Sequence, residues 1–393
     1  MFGRPVLWGL QAATLGARAV VGLRASAARR PPPPVPGAKM RVLLVAQYPG
    51  RFAGTKYRLA KWGDRLRAAG HEVRLALPMP DRHSVRLSND WSLRARTEFH
   101  LRLLAARTRT VWRAEGYDVA VIHMNSMPFW EYGDPFIAMA LKRMVGRVLL
   151  DLDDLPVFAG EDEVRPRVRT LASVVDGLLV GNGQILKHLP ERPAWFVPTC
   201  IDPQEWPVPD RSSRRGPPIL GWVGTAGNLA HLRPLAPALA EVCRRHGATV
   251  RVISSEPPDL PGVPVEFVRW SAEREVEDLL PIDVGLAPLS DGPRQRCKCG
   301  LKALQYMAAG IPVVAGPVGA LREIVEDTGA GFLASTTVEW VAALDALLGD
   351  PVRRREMGAS GRRRVEERYS FAANHAEFLA ALWGRPANAA VAG

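Results

Sequence analysis

The strongest constraint on this chain is a pattern that occurs twice. Short apolar runs of strand length alternate with helix-length amphipathic segments, first from Met40 and again from Ile219. Val42-Leu43-Leu44-Val45-Ala46 is uninterrupted by any polar residue and is closed by Pro49-Gly50. A parallel strand buried on both faces reads this way, because helices cover both of its sides. A helical stretch over 57–69 follows and stops at Gly70, and a second strand is expected over 72–77. The alternation continues with helices near 93–114, 135–145 and 167–176 and strands at 118–123, 147–152 and 178–180. After a segment rich in Pro, Arg and Ser it restarts. Strands are expected at 219–223, 249–253, 265–268, 284–287 and 312–315, with helices at 232–245, 272–280, 301–308 and from 337 onward. This predicts an α/β chain of two Rossmann-like domains with parallel sheets facing a central cleft, each binding ligands outside the carboxyl ends of its strands. The boundaries expected are an extension at 1–39, a first domain at 40–205, a linker at 206–217, a second domain at 218–370 and a C-terminal helix and tail at 371–393.

At 393 residues, 47% hydrophobic and 23% charged, the chain has the length and composition for two buried cores. Its net charge of +12 is unevenly placed. Residues 1–200 hold 30 basic against 17 acidic side chains, while residues 201–393 hold 22 against 23. The first half therefore suits an anionic partner such as a membrane surface, or reflects free use of solvated arginine. Nucleic acid is not expected, since the basic residues form no recognised motif and lack a stacking platform. Cys200, Cys243, Cys297 and Cys299 are too few for a disulfide scaffold and lack zinc-site spacing, so they read as reduced thiols of a cytoplasmic protein. No apolar run of membrane-spanning length occurs. Residues 1–39 are expected to be a dispensable extension; a helix over 4–24 lying on a membrane face is the alternative, and would make the protein peripheral at the inner membrane face. Two further stretches, 59–67 and 99–113, mix cations with Trp, Phe and Leu. They read either as membrane-surface helices or as core helices with a solvated arginine face.

The segment from Lys298 to Val314 carries the clearest chemistry. At helical spacing Lys298, Lys302 and Gln305 share one face, and Leu304 and Met307 take the other. The helix opens at Gly300, where unpaired backbone N–H groups favour an anion. Two lysines there, in a chain where arginine greatly outnumbers lysine, make a diphosphate site or a solvated amphipathic face.

This stretch resembles the signature of retaining GT-B glycosyltransferases of the "glycosyl transferases group 1" family. There a Glu, seven residues and a second Glu precede Met-Ala-x-Gly-x-Pro-Val-Val, as Met307-Ala-Ala-Gly310-Ile-Pro312-Val-Val does here. Ile219-Leu-Gly-Trp-Val-Gly224-Thr225-Ala-Gly227-Asn228 resembles the family's second-domain strand and loop, and Gly319-Ala-Leu-Arg322-Glu323-Ile324 its following loop. Gly54-Thr-Lys56-Tyr-Arg58 sits where the family has its first glycine loop. The resemblance implies transfer of a hexosyl group from a nucleoside diphosphate sugar, with retention. No cofactor or metal is implied; the nucleotide sugar is a co-substrate. Gly224, Thr225, Gly227, Gln305 and Glu323 would hold the donor, Lys298 and Lys302 its leaving diphosphate, and His123 the transferred sugar. Gly54, Lys56, Asp151, Asp153 and Asp154 would face an acceptor that is a glycan, a lipid-linked sugar or a small molecule. Two departures stand out: Cys297 and Gln305 occupy the two Glu positions, and the family's Arg/Lys pair after the second glycine loop is replaced by Gly227-Asn-Leu-Ala-His231-Leu-Arg233. A non-catalytic sugar-nucleotide or membrane-binding partner and a sugar-nucleotide epimerase on the same fold are the alternatives.

Overall fold

The computed structural model describes residues 4–81, 92–125, 135–155, 166–210 and 216–387. It forms two compact units, Met1–Pro198 with His375–Gly393, and Thr199–Asn374.

The first unit is built on six strands: β1 (Arg41–Val45), β2 (Glu72–Ala76), β3 (Val119–His123), β4 (Arg147–Leu152), β5 (Gly177–Val180) and β6 (Ala194–Phe196). They run parallel in the order β2-β1-β3-β4-β5-β6. Val42, Leu43, Leu44 and Val45 are fully buried, as their unbroken apolar run requires. The order reverses direction between β1 and β3, so the carboxyl ends of these two strands flank the crevice where such sheets take ligands. The helices are α1 (Arg4–Ser26), α2 (Lys61–Ala68), α3 (Leu93–Trp112), α4 (Phe136–Met144) and α5 (Pro166–Val174). A wide π-helical turn, Lys56–Ala60, precedes α2 and turns Tyr57, Arg58 and Leu59 inward. Leu59, Trp62 and Leu66 are buried, so the stretch 59–67 belongs to the core and is not a membrane-surface helix. Arg107 on α3 is also fully buried, and donates to the carbonyls of Ala46 and Ala76 at the carboxyl ends of β1 and β2. Burial lowers its pKa to about 9.

The extension over 1–39 is integrated into this unit. Helix α1 packs on α3 and α4, burying Leu10, Val21 and Ala25. The Arg30 guanidinium donates to the carbonyls of Val145 (3.3 Å) and Gly146 (2.9 Å) and to Asp176 (2.8 Å). Among the described residues no helix is long and apolar enough to cross a membrane.

The second unit repeats the architecture with β7 (Ile219–Val223), β8 (Thr249–Ser254), β9 (Val265–Arg269), β10 (Val284–Ala287), β11 (Val313–Ala315) and β12 (Gly331–Leu333) in the parallel order β12-β11-β10-β7-β8-β9. Its helices are α6 (Ala236–His246), α7 (Glu275–Leu279), α8 (Leu301–Ala308), α9 (Ala320–Val325), α10 (Thr337–Leu348) and α11 (Pro351–Arg364). Here the direction reverses between β7 and β10. Gly221 and Gly285 face each other across these two strands. A side chain at Gly285 would strike the Tyr306 ring of α8. The buried Tyr306 hydroxyl accepts from Val223 N (3.0 Å) and donates to Gly221 O (3.1 Å), which fixes α8 against the carboxyl half of β7.

The boundaries differ from those expected. Trp206 is buried and its carbonyl accepts from Arg362 (2.6 Å), while Ile201 bridges to Ser370. These contacts draw the chain into the second unit from Thr199, ahead of the expected linker at 206–217. At the other end the final helix, α12 (His375–Trp383), returns to the first unit, where Phe378 stacks on Trp62 with ring centroids 4.1 Å apart.

Candidate functional site

In the second unit the candidate residues gather at the carboxyl end of β7. Tyr306 holds α8 so that Lys302, one turn earlier, reaches over the strand end. Its Nζ lies 5.6 Å from the Trp222 ring centroid and 3.1 Å from where a side chain on Gly224 would begin. Helix α8 starts at Gly300, whose φ of 68° suits glycine, and this brings Lys298 beside Lys302. Burial and the Lys298 charge lower the Lys302 pKa to about 8. His231 is lowered by burial and by the charges of Lys298, Lys302 and Arg294; its Nδ1 lies 3.0 Å from Ser290 Oγ. The charges felt by Lys302 and His231 are thus all cationic, and among the described residues no carboxylate meets the Lys302 ammonium. The cationic side chains of Lys298, Lys302 and Arg294 converge around a His231 that burial and their charges keep neutral, and together they favour a polyanion. Thr225 and Gly227 lie exposed on the loop beside it, with Thr225 Oγ1 accepting from Asn228 Nδ2 at 2.8 Å and open space around Gly227.

The surroundings of three positions bear on the expected site. Gln305 does not share an open face with the lysines: it is buried, and its Nε2 donates to the Glu275 carboxylate of α7 at 2.8 Å. The reason is tertiary, since α7 packs a buried acid against that helix face. Cys297 is fully buried, so the first family Glu position presents no group to solvent. Glu323 neighbours Arg364, Arg368 and Tyr369; burial outweighs the two arginines and raises its pKa. Arg294, His231, Trp222 and Glu275 are residues that the sequence reading does not single out as donor ligands. Helix periodicity carries no information about partners so far along the chain.

In the first unit, His123 ends β3 directly beside Asp151 of β4. The π-helical turn sends the buried Arg58 onto Asp151: Nε donates at 3.1 Å, a second nitrogen completes a bidentate pair, and a third donates to Val197 O at 2.7 Å. His123 Nε2 lies 3.1 Å from Asp153 Oδ1 and 4.0 Å from Asp151. Burial pushes the Asp153 carboxyl up, but the His123 charge, its hydrogen bond and Arg58 outweigh this and hold it below the usual carboxylate value. Gly54 allows the helix start to lie against this pair: a side chain there would begin 2.8 Å from His123 Cε1. Among the described residues, buried His123 Nδ1 and Gln47 Oε1, at the ends of β3 and β1, have no hydrogen-bond partner. Lys56 lies over the Tyr57 ring at 5.0 Å, and Asp154 caps its own turn by accepting from Leu155 N at 2.8 Å. The structure thus brings together Gly54, His123, Asp151 and Asp153, and adds Arg58 and Gln47.

A family model described as Glycosyl transferases group 1 matches residues 217–350. The match falls within the second unit, about a third of the chain. The chain is 32% identical to the D-inositol 3-phosphate glycosyltransferase of Nocardia farcinica over 48% of this chain and 47% of that protein. It therefore spans about half the length of that curated relative. Among solved structures, sucrose-phosphate synthase from Thermosynechococcus elongatus superposes with a TM-score of 0.62 at 14% identity, covering 88% of this chain and 100% of that one. HepE of Anabaena, in complex with UDP and glucose, gives 0.61 at 13% identity, covering 87% and 99%. At such identities these likenesses speak for the fold alone: two α/β units with parallel six-stranded sheets, the GT-B fold.

Proposed function

We propose that the protein transfers a hexosyl group from a nucleoside diphosphate sugar to a hydroxyl acceptor, with retention and without a metal. The observation that carries this reading is the Lys302 ammonium, set over the Trp222 ring at the switch point of the second sheet with Lys298 beside it. A diphosphate supplies negative charge to this cluster. When the sugar–phosphate bond breaks, negative charge builds on the departing diphosphate, and in this reading Lys302, Lys298 and Arg294 stabilise it more than the ground state. The Gly224–Thr225 loop gives the backbone close access to the nucleotide. In the first unit, His123, Asp153 and Gln47 are the groups suited to sugar and acceptor hydroxyls, with Arg58 holding Asp151 beneath them. The Nocardia relative is a glycosyltransferase by name, and a solved neighbour holds UDP and glucose; both support this class of chemistry.

Calorimetric titration of the full chain with UDP, GDP and ADP tests the reading. Binding of one nucleotide that weakens in Lys302→Met, followed by turnover with the matching sugar nucleotide, is the expected result. No binding of any of the three overturns it. A second reading rests on buried Cys297 and on Gln305 held by Glu275: a chain that binds the donor without transferring it. Stoichiometric binding without turnover across a panel of sugar nucleotides and acceptors selects that reading.

A further inference from the structure

The outer faces of α1 and α3 have a composition that water alone does not explain. On α1 the solvent-facing side carries Leu15 and Leu23, 64% and 75% exposed, with Val20 at 45%, and Arg18 as its charged residue. The rest of that side is Ala, Gly, Gln and Ser. On α3 the exposed stripe alternates Leu101 and Trp112 with Arg94, Arg102, Arg109 and Arg113. Arg24 lies 5.8 Å from the Trp112 ring and pairs with Glu115, tying the carboxyl ends of the two helices together. Elsewhere the pattern is different: in the second unit the exposed large hydrophobics among the described residues are valines scattered one to a segment. The charge is asymmetric in the same sense, with the basic excess confined to residues 1–200.

We propose that this α1/α3 surface docks the protein on an anionic phospholipid bilayer. Leucine and tryptophan side chains enter the headgroup–acyl boundary, and the arginines of α3 meet lipid phosphates. The exposed apolar side of α1, whose charged residue among those of described exposure is Arg18, is the part that enters; the arginine stripe beside it supplies selectivity for negative charge. Hydrophobic insertion and electrostatic attraction add, so neither neutral vesicles nor high salt should leave binding intact.

The test is flotation of the full chain with vesicles of phosphatidylcholine alone and of phosphatidylcholine with phosphatidylglycerol. Binding to the anionic vesicles is expected, at least roughly tenfold weaker to neutral ones. Leu15→Glu/Leu23→Glu and Arg109→Glu/Arg113→Glu should each reduce it by a similar factor. Val338→Glu, at an exposed site of the second unit, should leave it unchanged. Far-UV circular dichroism establishes that each variant is folded. Equal binding to both vesicle types overturns the proposal, as does a Leu15→Glu/Leu23→Glu variant that floats like Val338→Glu. So does absence of flotation together with a concentration-dependent dimer that Leu15→Glu/Leu23→Glu abolishes, since the occupant of the face is then a second copy.

Discussion

Replacing Lys302 by Met separates a binding residue from a structural one, because the two roles predict opposite signs. Methionine keeps the length and apolar stem that pack on Trp222 and removes the ammonium. In the folded protein burial and the Lys298 charge lower the Lys302 pKa from 10.5 to about 8. At about 1.4 kcal/mol per unit, that corresponds to about 3 kcal/mol by which the unliganded fold disfavours the charged form. The sign follows from linkage. Between these two values the unfolded chain keeps a proton that the folded chain has released, so stability rises with pH across that window. Below pH 8 the penalty is present in full. Lys302→Met should therefore be more stable than the parent at pH 7 by about 1–3 kcal/mol, and a unit of this size melts roughly 2–4 °C higher per kcal/mol. The gap should close as the pH approaches 10.5. In the same variant the ligand effect reverses. Loss of a charge-assisted phosphate contact, worth about 1.5–3 kcal/mol, weakens nucleotide binding by roughly 10- to 150-fold. Thermal melting with and without UDP, GDP and ADP reads both effects in one series. A variant that is less stable at pH 7 and binds nucleotide like the parent would refute the reasoning, because Lys302 would then be an ammonium satisfied by the protein itself.

Four other perturbations follow from the same geometry. Arg58→Met leaves the buried Asp151 carboxylate without its bidentate partner and should destabilise the first unit by about 3–5 kcal/mol in urea titrations. Gly54→Ala drives a methyl into the His123 ring; transfer activity should fall more than tenfold while the nucleotide dissociation constant stays within roughly twofold. The depressed Asp153 carboxyl contributes stability above the ordinary value of 3.8 and loses it as the pH falls through the lower folded-state value. Asp153→Asn should accordingly cost stability at pH 7, with the difference from the parent vanishing in acid melts. Removing residues 1–39 uncovers the α3 and α4 surfaces that Leu10, Val21 and Ala25 cover, and should lower the melting temperature of the first unit by several degrees.

Much of the fold is legible in the sequence because both sheets are parallel and their central strands are buried on both faces. Strands such as Val42–Val45 and Val284–Ala287 are then nearly pure apolar runs with no competing period. Elements that rest on tertiary contacts are less legible. Strand β6 has three residues between prolines and is recognisable only beside β5. Helix α1 reads as an extension because nothing local shows that α3 and α4 lie under it. The site divides along the same line. The strand-end residues His123, Asp151 and Gly224 can be read from position alone. The partner that closes on Asp151, Arg58, lies far away in sequence, and so does the acid that turns Gln305 inward. Helical spacing places Gln305 beside Lys302 in angle, but only the packing of α7 decides that one is buried with a carboxylate and the other left among cations.

The return of α12 to the first unit sets an order of assembly. The second unit is contained between Pro198 and His375, so the chain leaves the first unit unfinished, completes a whole parallel sheet, and only then supplies Phe378 to the face of Trp62. During synthesis the N-terminal sheet emerges first but waits with that tryptophan exposed until the last residues are released. Its completion is therefore a long-range closure across the entire second unit, and a chain that stops short of His375 presents an open apolar seam to its surroundings.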